Sequence, residues 1–190
     1  MMIPSENVKS ECQKVYDEAQ IFFATIKRER DFGFKIFNAP PVYQTPFLFI
    51  GYQPGGSQAS FEYEQSRNSH LTWPPEIEYL TASWALASCM RRTFAGTDTL
   101  ERCVGMNANF LRYPNVVCYR RAMDCPSRTD VERFCLETVL RIISLVDPRK
   151  IMTIGFSTLE LFGKLNLLRI TPKGASSPER ARSEIAKQSR

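Results

Sequence analysis

Two short apolar segments that each end in a glycine constrain the fold of this chain more than any other feature. The first, residues 47–50, is followed by Gly51, and the second covers residues 150–155 and ends at Gly155. A continuous apolar run of this length predicts a strand that is buried on both faces, which is typical of parallel sheets. The glycines predict loops at the carboxyl ends of both strands.

Apolar residues at helical spacing lie before, between and after these strands. A third strand candidate covers residues 103–111, and a short strand fits residues 34–37. Because strands and helices alternate with short links, the sequence predicts a mainly parallel sheet covered on both faces, a three-layer α/β/α sandwich. The predicted helices cover residues 5–30, 74–94, 129–146 and 157–165, with Trp84 on the inner face of the second.

Length and charge distribution predict one domain and a tail. The chain has 190 residues, which is near the length of one domain. Its net charge of +5 falls entirely in residues 164–190, which hold seven basic and two acidic side chains. We therefore expect one domain over residues 1–168 and a basic, flexible tail over residues 169–190. A contact between this tail and nucleic acid would explain the same charge.

The sequence argues against membrane, secreted and metal-binding proteins. No apolar run reaches the ~18 residues that a membrane span needs. Glu6 and Lys9 stand where a signal peptide has its apolar core, so we expect a cytoplasmic chain with reduced cysteines. The six cysteines form no C-x-x-C pair and His70 is the only histidine, so we expect no metal, no cofactor and no histidine-based triad.

The loops after the predicted strands form the expected ligand site. In parallel sheets, ligands bind outside the carboxyl ends of the strands, so the loops after Ile50, Leu111 and Ile154 should converge on one crevice. The first of these loops, residues 51–59, contains three glycines and a proline. Glycine allows close approach of the backbone to a ligand, although a plain turn explains the same composition.

Three segments share their order with the motifs of one known family. Residues 47–59 are similar to a buried strand that ends in G-x-(D/N/E/A)-P-G. Residues 104–114 are similar to a strand that carries a base-reading asparagine, and residues 126–162 to a helix–strand–helix segment of an iron–sulfur branch. Together these segments resemble the uracil-DNA glycosylase superfamily over roughly residues 45–165.

The resemblance implies a site that holds a base flipped out of DNA. Gln53 aligns with the residue that orients or activates the attacking water. Phe61, or as an alternative Tyr63, aligns with an aromatic residue that stacks on the base, although either ring could instead pack under the loop. The resemblance assigns the remaining substrate contacts to the loop itself: Gly51, Tyr52, Pro54, Gly55 and Ser57.

The resemblance also implies an asparagine that pairs with the base edge. Asn107 and Asn109 lie on the same side of the second strand, so the sequence does not separate them, and Asn115 is a candidate in another register. DNA is therefore the expected partner. We expect the protein to be a monomer. Basic residues in the following loop are candidates for phosphate contacts: Arg112, Arg120, Arg121 and Arg128.

The chain departs from the superfamily in three places. Gln53 stands where active members carry Asp, Asn or Glu, and an amide cannot accept a proton as a carboxylate does. The closing H-P-S motif is missing, since residues 175–178 echo it without the histidine. The N-terminal C-x-x-C pair of the iron–sulfur branch is absent, so we expect no cluster.

Whether the chain is an enzyme is left open by these departures. One hypothesis is a glycosylase that hydrolyses the bond between deoxyribose and uracil or a related damaged base. A second hypothesis is a catalytically weak or inactive member of the same fold that binds nucleic acid or a nucleotide. An unrelated parallel α/β domain would explain the strands that end in glycine without either function.

Overall fold

The computed structural model of this protein describes residues 7–27, 32–67 and 71–164. The chain forms two compact units, Met1–Thr158 and Leu159–Arg190. All the described elements belong to the first unit except the last helix, which continues into the second unit as far as Lys164. The predicted domain end at residue 168 and the predicted tail lie outside the described residues.

The described residues form a mixed α/β fold with seven helices and three strands. In chain order these elements are α1 (Val8–Thr25), β1 (Phe47–Gly51), α2 (Gln58–Ser66), α3 (Glu78–Thr81), α4 (Ala85–Thr93), β2 (Cys103–Asn107), α5 (Val116–Ala122), α6 (Arg128–Val146), β3 (Ile151–Thr153) and α7 (Phe156–Lys164). The prediction of an α/β fold with a parallel sheet is confirmed. Among the described helices, none has both the length and the apolar character needed to cross a membrane.

The strands form one small parallel sheet in the order β2-β1-β3. Strand β1 is central, with Phe47 paired with Cys103 of β2 and Leu48 paired with Ile151 of β3. The middle of β1 and the whole of β2 are buried, as expected from their apolar sequences. Strand β3 is a short edge strand with Ile151 and Met152 exposed, so the prediction of a strand buried on both faces is wrong for this segment, because no described strand covers its outer edge.

Strand β2 ends at Asn107, earlier than predicted, because the following chain leaves the sheet. Leu111 forms an isolated antiparallel bridge with Phe34, and Phe37 forms another with Met106. The short strand predicted near residue 34 is therefore present only as isolated pairs. These pairs place the segment that contains Lys35 beside the carboxyl end of β2.

Phe49 of β1 packs into a buried cluster with Tyr79 of α3 and Met90 of α4. The rings of Phe49 and Tyr79 meet edge to face, with centroids 6.0 Å apart. Gly105 of β2 leaves room for this packing, since a Cβ atom there would lie 2.6 Å from the Tyr79 ring. Any side chain at residue 105 would displace Tyr79 from the core.

The helix predicted over residues 74–94 is wrong, because α3 and α4 are separated by an extended segment. Ala82 and Trp84 have ψ values of 151° and 155°. The guanidinium of Arg91 donates to the carbonyl oxygens of Tyr79 and Ala82 at 2.9 and 2.8 Å. These bonds satisfy backbone acceptors near the end of α3, so a side chain from α4 stabilises the break.

Helix α5 lies in a segment that the sequence predicted as a loop, and α2 begins inside the loop predicted over residues 51–59. Helix α5 starts after Asn115, whose side-chain oxygen accepts a hydrogen bond from the Cys118 amide at 2.9 Å. Asparagine is a preferred residue at this position because it satisfies an amide that the helix leaves without a partner. The structure therefore gives Asn115 a capping role.

Candidate functional site

The carboxyl ends of the three strands surround a cavity of about 680 Å³. This volume lies in the range of small-molecule sites. The loop after β1, Asn107 at the end of β2 and residues 154–157 after β3 all contribute to the wall. The predicted convergence of loops is thus present, at the place where the strand order reverses around β1.

The loop after β1 supplies the largest continuous part of the lining. Gly56 has a φ of +150°, and a Cβ atom there would lie 2.5 Å from the Phe61 ring, so only glycine fits. Ser57 and Ser60 exchange amide-to-hydroxyl hydrogen bonds of 3.0 and 3.2 Å at the start of α2. All the loop residues that the sequence singled out line the cavity: Gly51, Tyr52, Gln53, Pro54, Gly55 and Ser57.

The chain after β2 fixes this loop in place. The backbone amides of Ala108 and Asn109 donate to the carbonyl oxygens of Gly51 and Tyr52 at 2.7 and 2.9 Å. The Asn109 side chain adds a bond from its Nδ2 to the Tyr52 oxygen at 3.0 Å. A loop that is ordered in advance pays a smaller entropy cost when a ligand binds.

Gln53 lies in the cavity wall with one acceptor unused. Its side chain is half-buried, and its Oε1 atom is buried with no hydrogen-bond donor among the described residues. A buried carbonyl oxygen without a donor costs free energy, so such atoms normally accept from water or a ligand. Because this oxygen has no accessible surface, the Gln53 amide offers it to water or to a ligand N–H group only after the side chain turns toward the cavity.

The structure separates the two candidate asparagines. Asn107 lines the cavity, and its Nδ2 donates to the carbonyl oxygens of Lys35 and Ile36 at 3.3 and 3.4 Å. No described residue donates to its Oδ1, which lies 3.4 Å from the position that a Cβ atom on Gly51 would take. Asn107 is therefore held by the backbone and keeps an acceptor for a ligand.

Asn109, in contrast, uses both ends of its amide within the protein. Its Nδ2 donates to Tyr52, and its Oδ1 accepts from the Tyr119 hydroxyl at 2.9 Å. Burial raises the pKa of Tyr119, so the phenol stays protonated and donates this bond. Asn109 is outside the cavity lining and supports the loop instead.

An ion pair that the sequence did not predict lies in the cavity wall. Lys35 Nζ and Glu78 Oε1 are 2.5 Å apart, and both side chains are largely buried. The Glu78 amide donates to the Asn38 carbonyl at 3.0 Å, and Asn38 Nδ2 contacts the Tyr79 hydroxyl at 3.5 Å. Burial raises the pKa of Tyr79, so this phenol beside the cavity stays neutral.

The structure corrects the surface position that the sequence gave to Arg112. Its side chain is only 3% exposed and forms two bonds with Glu64, at 2.5 and 2.9 Å. The guanidinium also lies over the Phe61 ring, 4.6 Å from the centroid. Arg112 and Glu64 border the cavity, but Arg112 is not available to a phosphate on the protein surface.

Phe61 packs under the loop in this structure. The ring has no exposed surface and lies 5.0 Å from the Phe32 ring, between centroids. Tyr63, the alternative, is exposed on α2 but outside the lining, and its hydroxyl accepts from Arg67 at 2.9 Å. Neither ring that the sequence proposed for stacking therefore lies in the cavity wall.

Among the other arginines predicted to contact phosphates, Arg120 contacts the loops of the cavity. Its Nη2 donates to Ser157 Oγ at 3.2 Å, and its guanidinium lies 5.8 Å from the centroid of the Tyr52 ring. Arg121 and Arg128 are exposed, and Arg128 is paired with Glu132 on α6 at 2.8 Å. Arg120 is thus the surface arginine that joins the loops after β1 and β3.

Two exposed aromatic side chains in the wall were missed at the sequence level. Trp84 is 39% exposed and Phe156 is 63% exposed, and both line the cavity. A continuous helix would have turned Trp84 inward, whereas the break before α4 leaves it at the cavity. Phe156 follows Gly155, the glycine that ends the second apolar segment, and this position predicts a loop residue but not a contact with a ligand.

Within the described residues, no group of three or more His, Cys, Asp or Glu side chains could hold a metal ion. The six cysteines are free thiols, and three of them are buried. Comparison with protein-family models and with curated proteins finds no match to this chain.

Proposed function

We propose that this protein is a uracil-DNA glycosylase-like domain whose cavity receives a base flipped out of DNA. In this proposal the helices cover both faces of the parallel sheet, giving a three-layer α/β/α sandwich. Support comes from the sheet order, from the cavity at the carboxyl ends of the strands and from the resemblance of residues 45–165 to that superfamily. The proposed reaction is hydrolysis of the bond between deoxyribose and uracil or a related damaged base.

The buried and unused Oε1 of Gln53 is the observation that carries this proposal. In hydrolysis, the water oxygen bonds to C1′ of the sugar while the bond from C1′ to the base nitrogen breaks, and the base leaves with the bonding electrons as an anion. The proton that the water loses passes to this departed base or to the solvent. An amide oxygen can accept a hydrogen bond from that water and orient it, but it does not take the proton. We therefore expect slow catalysis that depends on positioning.

Asn107 is the proposed reader of the base. Its Oδ1 can accept from a ring N–H of uracil, while its Nδ2 is tethered to the backbone near Lys35. The tether fixes the direction of the amide before the base arrives. Selectivity then follows because a base without a matching N–H leaves the Asn107 oxygen buried and unpaired.

A second candidate function is binding of a base without hydrolysis. The carboxylates in the described lining are Glu64 and Glu78, and each is engaged by a buried or partly buried cation, Arg112 or Lys35. Both carboxylates already bind a cation within the protein, and the described lining holds no further carboxylate that could activate water. This observation favours a domain that recognises a base and has lost its catalytic group.

DNA is the proposed partner under both functions. Arg120 is exposed and already touches two loops of the cavity, so it is well placed for a phosphate next to the flipped base. We also propose that the protein acts as a monomer, because one chain supplies the described lining of the cavity.

The test is single-turnover release of uracil from oligonucleotides that contain uracil opposite guanine, opposite adenine or unpaired. We expect wild type to release uracil and Gln53→Ala to abolish release. The matched control is Gln58→Ala, since Gln58 is an exposed glutamine on α2 outside the cavity lining. Release by Gln53→Asp alone would support the binding function, and no release by any variant would contradict the proposed hydrolysis.

A further inference from the structure

The tryptophan at the start of α4 is exposed to the cavity on a rigid support. Trp84 is the N-cap residue of α4, and its ring lies 5.8 Å from the ring of Tyr79, between centroids, at an angle of 59°. Tyr79 is buried, so one part of the indole rests on the core while 39% of the residue remains exposed. A large aromatic surface left open in a cavity marks a ligand contact.

The break between α3 and α4 creates this position. Ser83 and Trp84 both line the cavity because the chain between the helices is extended. Arg91 holds the break through its bonds to the carbonyl oxygens of Tyr79 and Ala82. The backbone on the N-terminal side of Trp84 is thus fixed by hydrogen bonds, and little further ordering is needed when a ligand contacts the ring.

The other aromatic candidates are less suited to stacking. Phe61 has no exposed surface. Tyr63 is 61% exposed but lies outside the cavity, and Arg67 covers part of its ring at 5.5 Å from the centroid. Phe156 lies in the wall and can supply a second apolar contact, but unlike Trp84 it has no described aromatic neighbour to support it.

We propose that Trp84 is the stacking platform of the cavity and that its ligand is a planar heteroaromatic base in a nucleotide. Stacking on an indole selects for flat π-systems and tolerates different bases, so Trp84 would supply affinity while Asn107 supplies discrimination. This inference rests on the proposed function, because it assumes that a base enters the cavity. It does not require that the base is released.

The experiment uses the full chain with Trp73→Phe, which leaves Trp84 as the single tryptophan, since the sequence contains two. Trp73 lies outside the cavity lining, with its ring 6.2 Å from that of Tyr16. The probe is a single-stranded oligonucleotide with one deoxyuridine, and the comparison probe carries an abasic analogue at that position. We expect the deoxyuridine probe to quench Trp84 fluorescence more strongly than the abasic probe, which lacks the base that enters the cavity.

Affinity is then measured by fluorescence anisotropy of labelled oligonucleotides. We expect Trp84→Ala to weaken binding of the deoxyuridine probe about tenfold to a hundredfold, as for loss of one stacked base. Trp84→Phe keeps a ring and should retain most of the affinity, which guards against a folding defect in the alanine variant. Tyr63→Ala, an exposed ring outside the lining, should bind as wild type does.

Three results would overturn the inference. One is binding of the deoxyuridine probe without a change in Trp84 fluorescence, and another is equal loss of affinity in Tyr63→Ala. The third is the absence of binding to any oligonucleotide, which would also remove the proposed function. Quenching and Trp84-dependent binding without uracil release would contradict hydrolysis alone, whereas release that is unchanged in Trp84→Ala would contradict stacking alone.

Discussion

The loop after β1 is bordered by two groups of side chains that satisfy their polar atoms in different ways. The first group, here named the loop support, consists of Phe61, Glu64 and Arg112. Phe61 is fully buried, and Arg112 makes two bonds to Glu64, so among the described contacts only Arg112 Nε lacks a partner in that guanidinium. Nearly all the interactions of this group are made within the protein.

The second group, here named the cavity face, consists of Gln53, Asn107 and Trp84. Gln53 Oε1 has no donor among the described residues, Asn107 donates only to backbone oxygens, and Trp84 leaves part of its ring exposed. The loop support therefore contributes mainly to stability, and the cavity face mainly to ligand recognition. Substitutions in the loop support should therefore lower stability, whereas substitutions in the cavity face should lower binding.

Among the substitutions that test this division, Phe61→Ala is expected to lower stability the most. Removing a fully buried ring should lower the free energy of unfolding by about 3–5 kcal/mol, because a cavity replaces its contacts. Urea denaturation followed by circular dichroism measures the change. Tyr63→Ala is the matched control on the same helix and should change stability by less than about 0.5 kcal/mol. A stable Phe61→Ala variant that loses affinity for uracil would instead place Phe61 in the cavity face.

Arg112→Met and Arg120→Met form the next comparison. Loss of Arg112 leaves Glu64 partly buried without this cation and should cost about 3 kcal/mol of stability. Loss of the exposed Arg120 should leave stability unchanged. In a plot of the logarithm of the DNA-binding constant against the logarithm of salt concentration, it should make the slope shallower by about 0.9, the value for one phosphate contact. Thermal melts and binding titrations at several salt concentrations measure both quantities. If Arg112→Met keeps the stability of wild type and lowers the salt dependence of DNA binding, Arg112 contacts phosphate and does not belong to the loop support.

Substitutions of the two asparagines should have the smallest effects, but they separate stability from binding most directly. Asn109→Ala breaks two side-chain bonds and leaves the Tyr119 hydroxyl buried, so it should cost about 1–3 kcal/mol of stability. Asn107→Ala should cost less stability and weaken binding of a deoxyuridine oligonucleotide by about tenfold or more. Chemical denaturation and anisotropy titrations separate the two effects. Equal loss of affinity in both variants would contradict the assignment of Asn107 to the ligand and Asn109 to the support of the loop.

The part of the site that lies in one continuous segment was predictable from the sequence. The apolar run of β1 and the glycine-rich loop after it identified the lining residues near Gln53, because strand burial and loop composition are local properties. Asn107 was predicted together with Asn109, since alternation along a strand places both on one side. Only the contacts with Tyr52 and Tyr119 distinguish them, and those contacts are tertiary.

The rest of the site depends on contacts that no local pattern shows. Lys35 and Glu78 are far apart in the chain and meet only because the segment around Phe34 pairs with the region after β2. Trp84 was predicted on the inner face of a long helix, because the apolar spacing is helical on both sides of the break. The break depends on Arg91, whose bonds to two carbonyl oxygens appear only in the folded chain.

The sheet order has a consequence for synthesis on the ribosome. Strand β1 is made before both of its neighbours in the sheet, and several helices separate it from β2 and β3 along the chain. The backbone groups of β1 therefore lack their strand partners, and the loop with Gln53 lacks part of its cavity, until Thr153 and the residues after it emerge. A nascent chain that ends before β3 would carry the residues of the β1 loop without a closed cavity around them, so binding competence arises only near the end of folding.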